Sequence, residues 1–136
     1  MIFVDTNVFM YAVGRQHPLK KQARAFFKKH RTQPTISLVT SAEVMQELMH
    51  AYLTVGRLEK LDQALELIDR TTKEVWPVEK DDVSLARALA TKLKHMSARD
   101  LVHLACCQRR HVGKIKTFDR ALAASKDLVQ IDKLDA

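Results

Sequence analysis

Four acidic residues far apart in the chain, Asp5, Glu47, Asp100 and Asp119, lie where carboxylates could meet. Carboxylates brought together repel one another, which raises their pKa values and destabilises the fold unless a cation sits among them. A site built only of oxygen donors selects hard divalent ions, here Mg²⁺ or Mn²⁺. Such an ion can polarise a phosphoryl oxygen and activate water for in-line attack. Each residue also has a plainer use. Asp5 could close an Asx turn or cap a helix. Ser97 to Asp100 fits a capping box. Asp119 at a helix start is favoured by the helix dipole, and Glu47 could be a solvated helix residue.

The flanking residues supply the elements that must hold these acids. Short apolar runs alternate with amphipathic stretches. Strands are expected at residues 1–4, 35–40, 74–76, 114–116 and, at the edge, 128–131. Helices are expected over 7–13, 19–31, from a Ser41 cap to Val55, 58–70, 81–94, from Ser97 to 110, and over 118–125 capped by Thr117. Inward stripes are read as Val44, Leu48, Ala51, Tyr52 and Val55, then Leu61, Leu65 and Ile68, then Leu85, Leu89 and Leu93. Alternating strands and helices imply an α/β fold, a parallel sheet covered on both faces, in one domain over residues 1–136. Ligands of such sheets gather beyond the carboxyl ends of the strands. Asp5 ends the first strand, Asp119 follows the fourth, and Glu47 and Asp100 sit near helix starts, so all four can face one rim. Asp100 also opens the run Leu101–Cys107, apolar nearly all round, and an acid there is costly without a charge partner.

Composition narrows the function classes. Apolar residues make up 46% of the 136, with only three Gly and three Pro, which excludes a disordered tail. The longest apolar run, Leu104–Cys107, is far short of the ~20 residues of a membrane span. Asp5 breaks the opening apolar segment too early for a secretion signal, so a cytoplasmic protein is expected. The adjacent Cys106 and Cys107 read as reduced, buried thiols. A net charge of +7, from 23 Lys and Arg against 16 Asp and Glu, suits a polyanion such as nucleic acid, or an acidic partner. Lys20, Lys21, Arg24, Lys28, Lys29 and Arg31 share one helix that could present this charge to RNA or protein.

Three stretches carry a family likeness: Met1 to Asn7 (MIFVDTN), Ser97 to Ala105 (SARDLVHLA) and Lys116 to Leu122 (KTFDRAL). In order and over essentially the whole chain, they resemble the signature regions of PIN-domain nucleases, above all VapC-type toxins of bacterial toxin–antitoxin pairs. The resemblance implies a parallel sheet of order 3-2-1-4-5 and a homodimer. It also implies Mg²⁺-dependent hydrolysis of RNA and a VapB-type antitoxin as partner. It assigns the metal site to Asp5, a glutamate after the second strand, Asp100 and Asp119, with Thr6, Asn7 and Thr117 as supporting polar residues. The glutamate is ambiguous: Glu43 and Glu47 lie four apart on one helix face. Ser41 to Glu47 and Ser37 to Glu43 both fit the family's spacing, and Ser41 is the better helix cap, which favours Glu47.

Other readings compete. Metal-free catalysis by histidine would have to come from one of six residues. His17, His30 and His111 lie by breaks or on exposed faces, and His50 and His95 have no patterned partner. His103, one turn from Asp100, either braces it or is a satisfied interior histidine. Met10, Met45, Met49 and Met96 read as core fillers or dimer contacts, and Trp76 and Phe118 as core aromatics rather than base-stacking platforms. A phosphatase of the haloacid dehalogenase type needs a second Asp where Asn7 stands, and a receiver domain needs an acidic pair where Asp5 stands alone. A PIN-like fold that binds RNA or protein without cutting it is the remaining alternative.

Overall fold

In the computed structural model, residues 1–32, 35–125 and the backbone of 130–132 are described. Strand β1 (Ile2–Val4) lies at the centre, between β2 (Leu38–Ser41) and β4 (Lys114–Lys116); β3 (Thr72–Trp76) and β5 (Gln130–Asp132) are the edges. The order β3-β2-β1-β4-β5 and the parallel pairing throughout are those expected. Every residue of β1 and β2 is buried, as strands covered on both faces must be. On one face Phe3 stacks on Trp76 at 5.7 Å and meets the His103 ring at 5.4 Å.

The helices are α1 (Thr6–Val13), α2 (Pro18–Thr32), α3 (Ala42–Leu53), α4 (Leu58–Thr71), α5 (Lys80–Ala90), α6 (Ala98–Arg109) and α7 (Arg120–Ala123). Helices α1 to α4 pack together, while α5 and α6 form a pair of their own. Chain direction explains the division. The crossovers from β1 to β2 and from β2 to β3 run one way, and that from β3 to β4 runs back. Right-handed connections therefore place their helices on opposite faces. The core runs through Phe3, Val4, Val8, Phe9, Val39, Leu48, Ile68, Leu104 and Ile115.

Several boundaries differ from expectation. Helix α3 ends at Leu53, and Val55 is 64% exposed, since Gly56 at φ 68° turns the chain away. Val44, Leu48 and Tyr52 form the buried stripe; Ala51, Leu65, Leu85 and Leu93 are only half-buried. Helix α5 stops at Ala90 in a turn, short of Lys94. Strand β2 begins at Leu38, three residues later than expected, and β3 begins earlier, at Thr72. Asp119, and not Thr117, caps the last helix, whose Ala121 and Leu122 amides its Oδ1 accepts. Strand β5 starts at Gln130; Leu128 and Val129 of the expected strand lie outside the described residues. No helix among the described residues is long and apolar enough to cross a membrane.

Candidate metal centre

Asp5 is the first residue past β1, and its place at the sheet's carboxyl edge follows from the burial of Ile2–Val4. It caps α1 through Oδ1, which accepts from the Thr6 amide at 2.8 Å. Oδ2 accepts from the Thr117 hydroxyl at 2.7 Å and from Asn7 Nδ2 at 3.4 Å. The plainer capping role is therefore real, but it uses only part of the carboxylate. Burial raises the Asp5 pKa; His103 and the Thr117 and Thr6 hydrogen bonds offset part of that. Thr117 Oγ1 also accepts from the Asp119 amide at 2.9 Å, and Asn7 Oδ1 accepts from the Phe118 amide at 3.1 Å. These bonds lock the start of α1 to the segment after β4, the supporting role foreseen for Thr6, Asn7 and Thr117.

Glu47 reaches the same place from α3. Ser41 caps that helix, its Oγ accepting from the Val44 amide at 3.4 Å, and Glu47 lies in the second turn, within reach of Thr6 at the start of α1. The Thr6 hydroxyl donates to Oε2 at 2.8 Å, and His103 Nε2 contacts Oε1 at 2.7 Å. Burial pushes the Glu47 pKa up, but the His103 and Thr6 bonds more than offset it, and the carboxyl stays below the usual range. Asp5, Glu47 and His103 offer three ligand atoms that all lie within 4.8 Å of one another. Glu43 is half-buried, and burial and repulsion from Glu47 raise its pKa; it stands near that group but is not one of its three members. Of the two glutamates that fit the spacing, Glu47 is the one that meets Asp5 and His103.

Asp100 opens α6. Its amide donates to Ser97 Oγ at 3.2 Å, but Ser97 is the only side-chain cap there, and the reciprocal bond of a capping box is absent. The Asp100 carboxyl is thus left to the cluster. Its pKa is pushed up to about 6 by burial, then by repulsion from Asp5 and Asp119. Asp119 contributes to that repulsion while one of its oxygens caps α7. His103 braces Glu47 and stands 3.6 Å from Asp5, not bonded to Asp100 as the one-turn spacing suggested. The imidazole was not among the residues expected in the site. The signal was present in the sequence, three residues beyond Asp100, but its partner is 56 positions away.

Among the described residues no Lys or Arg comes within 4 Å of these carboxylates; His103 is the sole basic side chain that does. Elsewhere buried acid is fully countered: Asp82 meets Arg109 at 2.8 Å and Arg110 at 2.8 Å. The donor set at the sheet edge, carboxylate oxygens repelling one another and short of counter-charge, fits a hard divalent cation. A groove of about 950 Å³ lies at the other end of α1 and shares no residue with the cluster; Ala12, Phe27 and Leu67 line it with Arg24, Lys28 and Arg31.

Comparison with known proteins identifies the family. The PIN domain family model matches residues 2–127. Ribonuclease VapC23 of Mycobacterium tuberculosis is 58% identical over 125 residues, 92% of this chain and 98% of that one. Ribonuclease VapC13 of the same organism is 37% identical over 120 residues, 88% of this chain and 91% of the relative. Among solved structures, VapBC2 from Rickettsia felis, bound to a promoter DNA fragment, superposes with a TM-score of 0.76. That match is at 15% identity and covers 99% of this chain and 100% of the other. The sarcin–ricin loop cleaving toxin VapC20 of M. tuberculosis superposes with a TM-score of 0.72, at 17% identity, over 92% and 95%. The last two share the fold; with the sequence matches, they establish that the chain belongs to the PIN-domain family and, within it, to the VapC ribonucleases.

Proposed function

We propose that this protein is an Mg²⁺- or Mn²⁺-dependent endoribonuclease, one PIN domain over residues 1–136, that acts as the toxin of a toxin–antitoxin pair. The observation that carries the proposal is the meeting of Asp5, Glu47 and Asp100 from separate elements, with no Lys or Arg among the described residues within 4 Å of them. A bound divalent ion supplies Lewis-acid polarisation of the scissile phosphoryl group and a water of lowered pKa. Asp5 and Asp100 hold the ion, Asp5 fixed by Thr117, Thr6 and Asn7. Glu47 and Asp119 complete the site and take up the proton of the attacking water, with Glu43 beside them. Water adds to phosphorus, the P–O3′ bond breaks, the departing O3′ takes a proton from solvent, and the products carry a 5′-phosphate and a 3′-hydroxyl. Lys and Arg around the rim hold the RNA backbone.

Relatives whose solved forms are toxin–antitoxin complexes support an antitoxin partner. The groove flanked by Arg24, Lys28 and Arg31 has an apolar floor and a basic edge, suited to a partner segment with apolar and acidic side chains. A homodimer and a cytoplasmic location belong to the same reading.

Purified protein incubated with RNA and Mg²⁺ should cut it, and a chelator should stop cleavage. Asp5→Asn should lower the rate by at least about 100-fold, because one ionised ligand is lost while the amide oxygen can still accept from the Thr6 amide. A protein that cuts no RNA under these conditions is a binding module instead.

A further inference from the structure

His103 is wholly buried and takes no part in the chemistry above. Its ring packs on Phe3, and Nε2 points at Glu47 Oε1, 2.7 Å away. An ionised carboxylate only accepts, so a contact that short places the proton on Nε2. Nδ1 has no partner. In a neutral Nε2–H ring that atom is a bare lone pair, which is less costly to leave unpaired than an orphaned N–H. The donor role is the same whether the ring is neutral or charged. The other Glu47 oxygen receives the Thr6 hydroxyl at 2.8 Å. Both oxygens of a long, flexible side chain are thus gripped, one from α6 and one from α1. A divalent ion requires oxygens at ~2.0–2.6 Å and leaves no space between two atoms already sharing a proton at hydrogen-bond distance. His103 is therefore placed to aim the Glu47 carboxylate rather than to ligate.

We propose that His103 is a positioning residue, whose Nε2–H sets the Glu47 carboxylate in the orientation that receives the divalent ion. The inference rests on Glu47 belonging to the metal site. A carboxylate already held by fixed donors gives up less rotamer freedom when the ion arrives, so the site binds more tightly than its charge alone would provide.

Mn²⁺ binding by electron paramagnetic resonance tests this on the full chain. His103→Leu should weaken Mn²⁺ by roughly 10- to 100-fold. His103→Gln, whose amide can donate from the same place, should return to within about threefold of the parent. In a Glu47→Gln background His103→Leu should cost less than about twofold more, because the residue acts through Glu47. Equal losses in both backgrounds, or a His103→Leu protein that binds as the parent does, overturn the proposal and leave the nuclease reading standing. A parent protein that neither binds Mn²⁺ nor cuts RNA sinks both. Should His103→Leu fail to fold, ¹⁵N-histidine spectra of the unaltered protein decide. Nε2 should stay protonated when Mg²⁺ is added, and scalar coupling of Nε2 to bound ¹¹³Cd²⁺ would show a ligand and overturn it.

Discussion

Asp82 and Asp100, both first-turn helix residues, titrate in opposite directions because of what surrounds them. Asp82 is buried against Arg109 and Arg110 with the Glu79 amide at 2.8 Å, and these donors hold its carboxyl well below the usual range. A depressed folded pKa stabilises the protein above pH ~4, and that contribution is lost as the pH falls toward the folded value. Asp100 is the reverse. Its pKa of about 6, against 3.8 for the free carboxyl, means that ionisation is penalised in the fold. The penalty is absent below pH 4, builds as the pH rises through 6, and persists at neutrality. Asp100→Asn should therefore stabilise the metal-free protein at pH 7.5 by about 2 kcal/mol after allowing for solvent screening, and by close to nothing at pH 4. Urea midpoints at the two pH values measure it. Equal gains at both would show that repulsion is not the cause. Protonation of the same group should weaken cation binding as the pH drops below 6. Burial pushes the Cys106 thiol up to about 12 and raises the Cys107 thiol well above its usual value, so neither is a nucleophile at neutral pH.

At the scale of elements, α6 does two jobs at once. Its first turn carries Asp100, and its last residue Arg109 with the cap Arg110 clamps α5 through Asp82 and Glu79. Arg110 also lies over the Trp76 ring at 5.1 Å, tying the pair to β3. Removing the central carboxylate leaves two guanidinium groups without their buried partner. Asp82→Ala should cost about 3 kcal/mol in chemical denaturation while leaving Mn²⁺ affinity within about twofold, since the clamp is remote from the acidic rim. A matching loss of Mn²⁺ affinity would show instead that the clamp sets the position of Asp100. Asp82 was invisible to pattern reading: an acid in the first turn of an amphipathic helix is ordinarily solvated, and its counter-charges lie 27 and 28 residues on. Strands fared better. The apolar run of β1 was legible because a strand buried on both faces leaves no polar residue to blur it. The ends of α3 and α5 were not, since helix propensity continues past the point where packing stops.

For the whole molecule, the acidic rim is an electrostatic load that a cation relieves. Any ligand that binds only the folded state stabilises it by mass action, by about 2.7 kcal/mol at a concentration 100 times Kd. Saturating Mn²⁺ at pH 7.5 should thus raise Tm by roughly 10 °C, and much less at pH 5, where Asp100 is protonated. Differential scanning fluorimetry with and without a chelator reads this directly. An Asp5→Asn protein that gains as much Tm from Mn²⁺ as the parent would place the ion elsewhere. The basic surface, +7 overall with acids withdrawn into one site, should make RNA binding fall steeply with salt.

Local pattern alone settled the alternation of strands and helices, the parallel sheet and its order through family likeness, and three acids at strand ends and helix starts. These are readable because side-chain periodicity and capping chemistry act over a few residues. Tertiary structure placed Glu47 rather than Glu43 beside Asp5, moved the last helix cap from Thr117 to Asp119, and gave His103 a partner on another helix. Each of those outcomes depends on which polar atoms meet across the sheet edge, and that is set by how α1, α3 and α6 pack rather than by any residue's near neighbours.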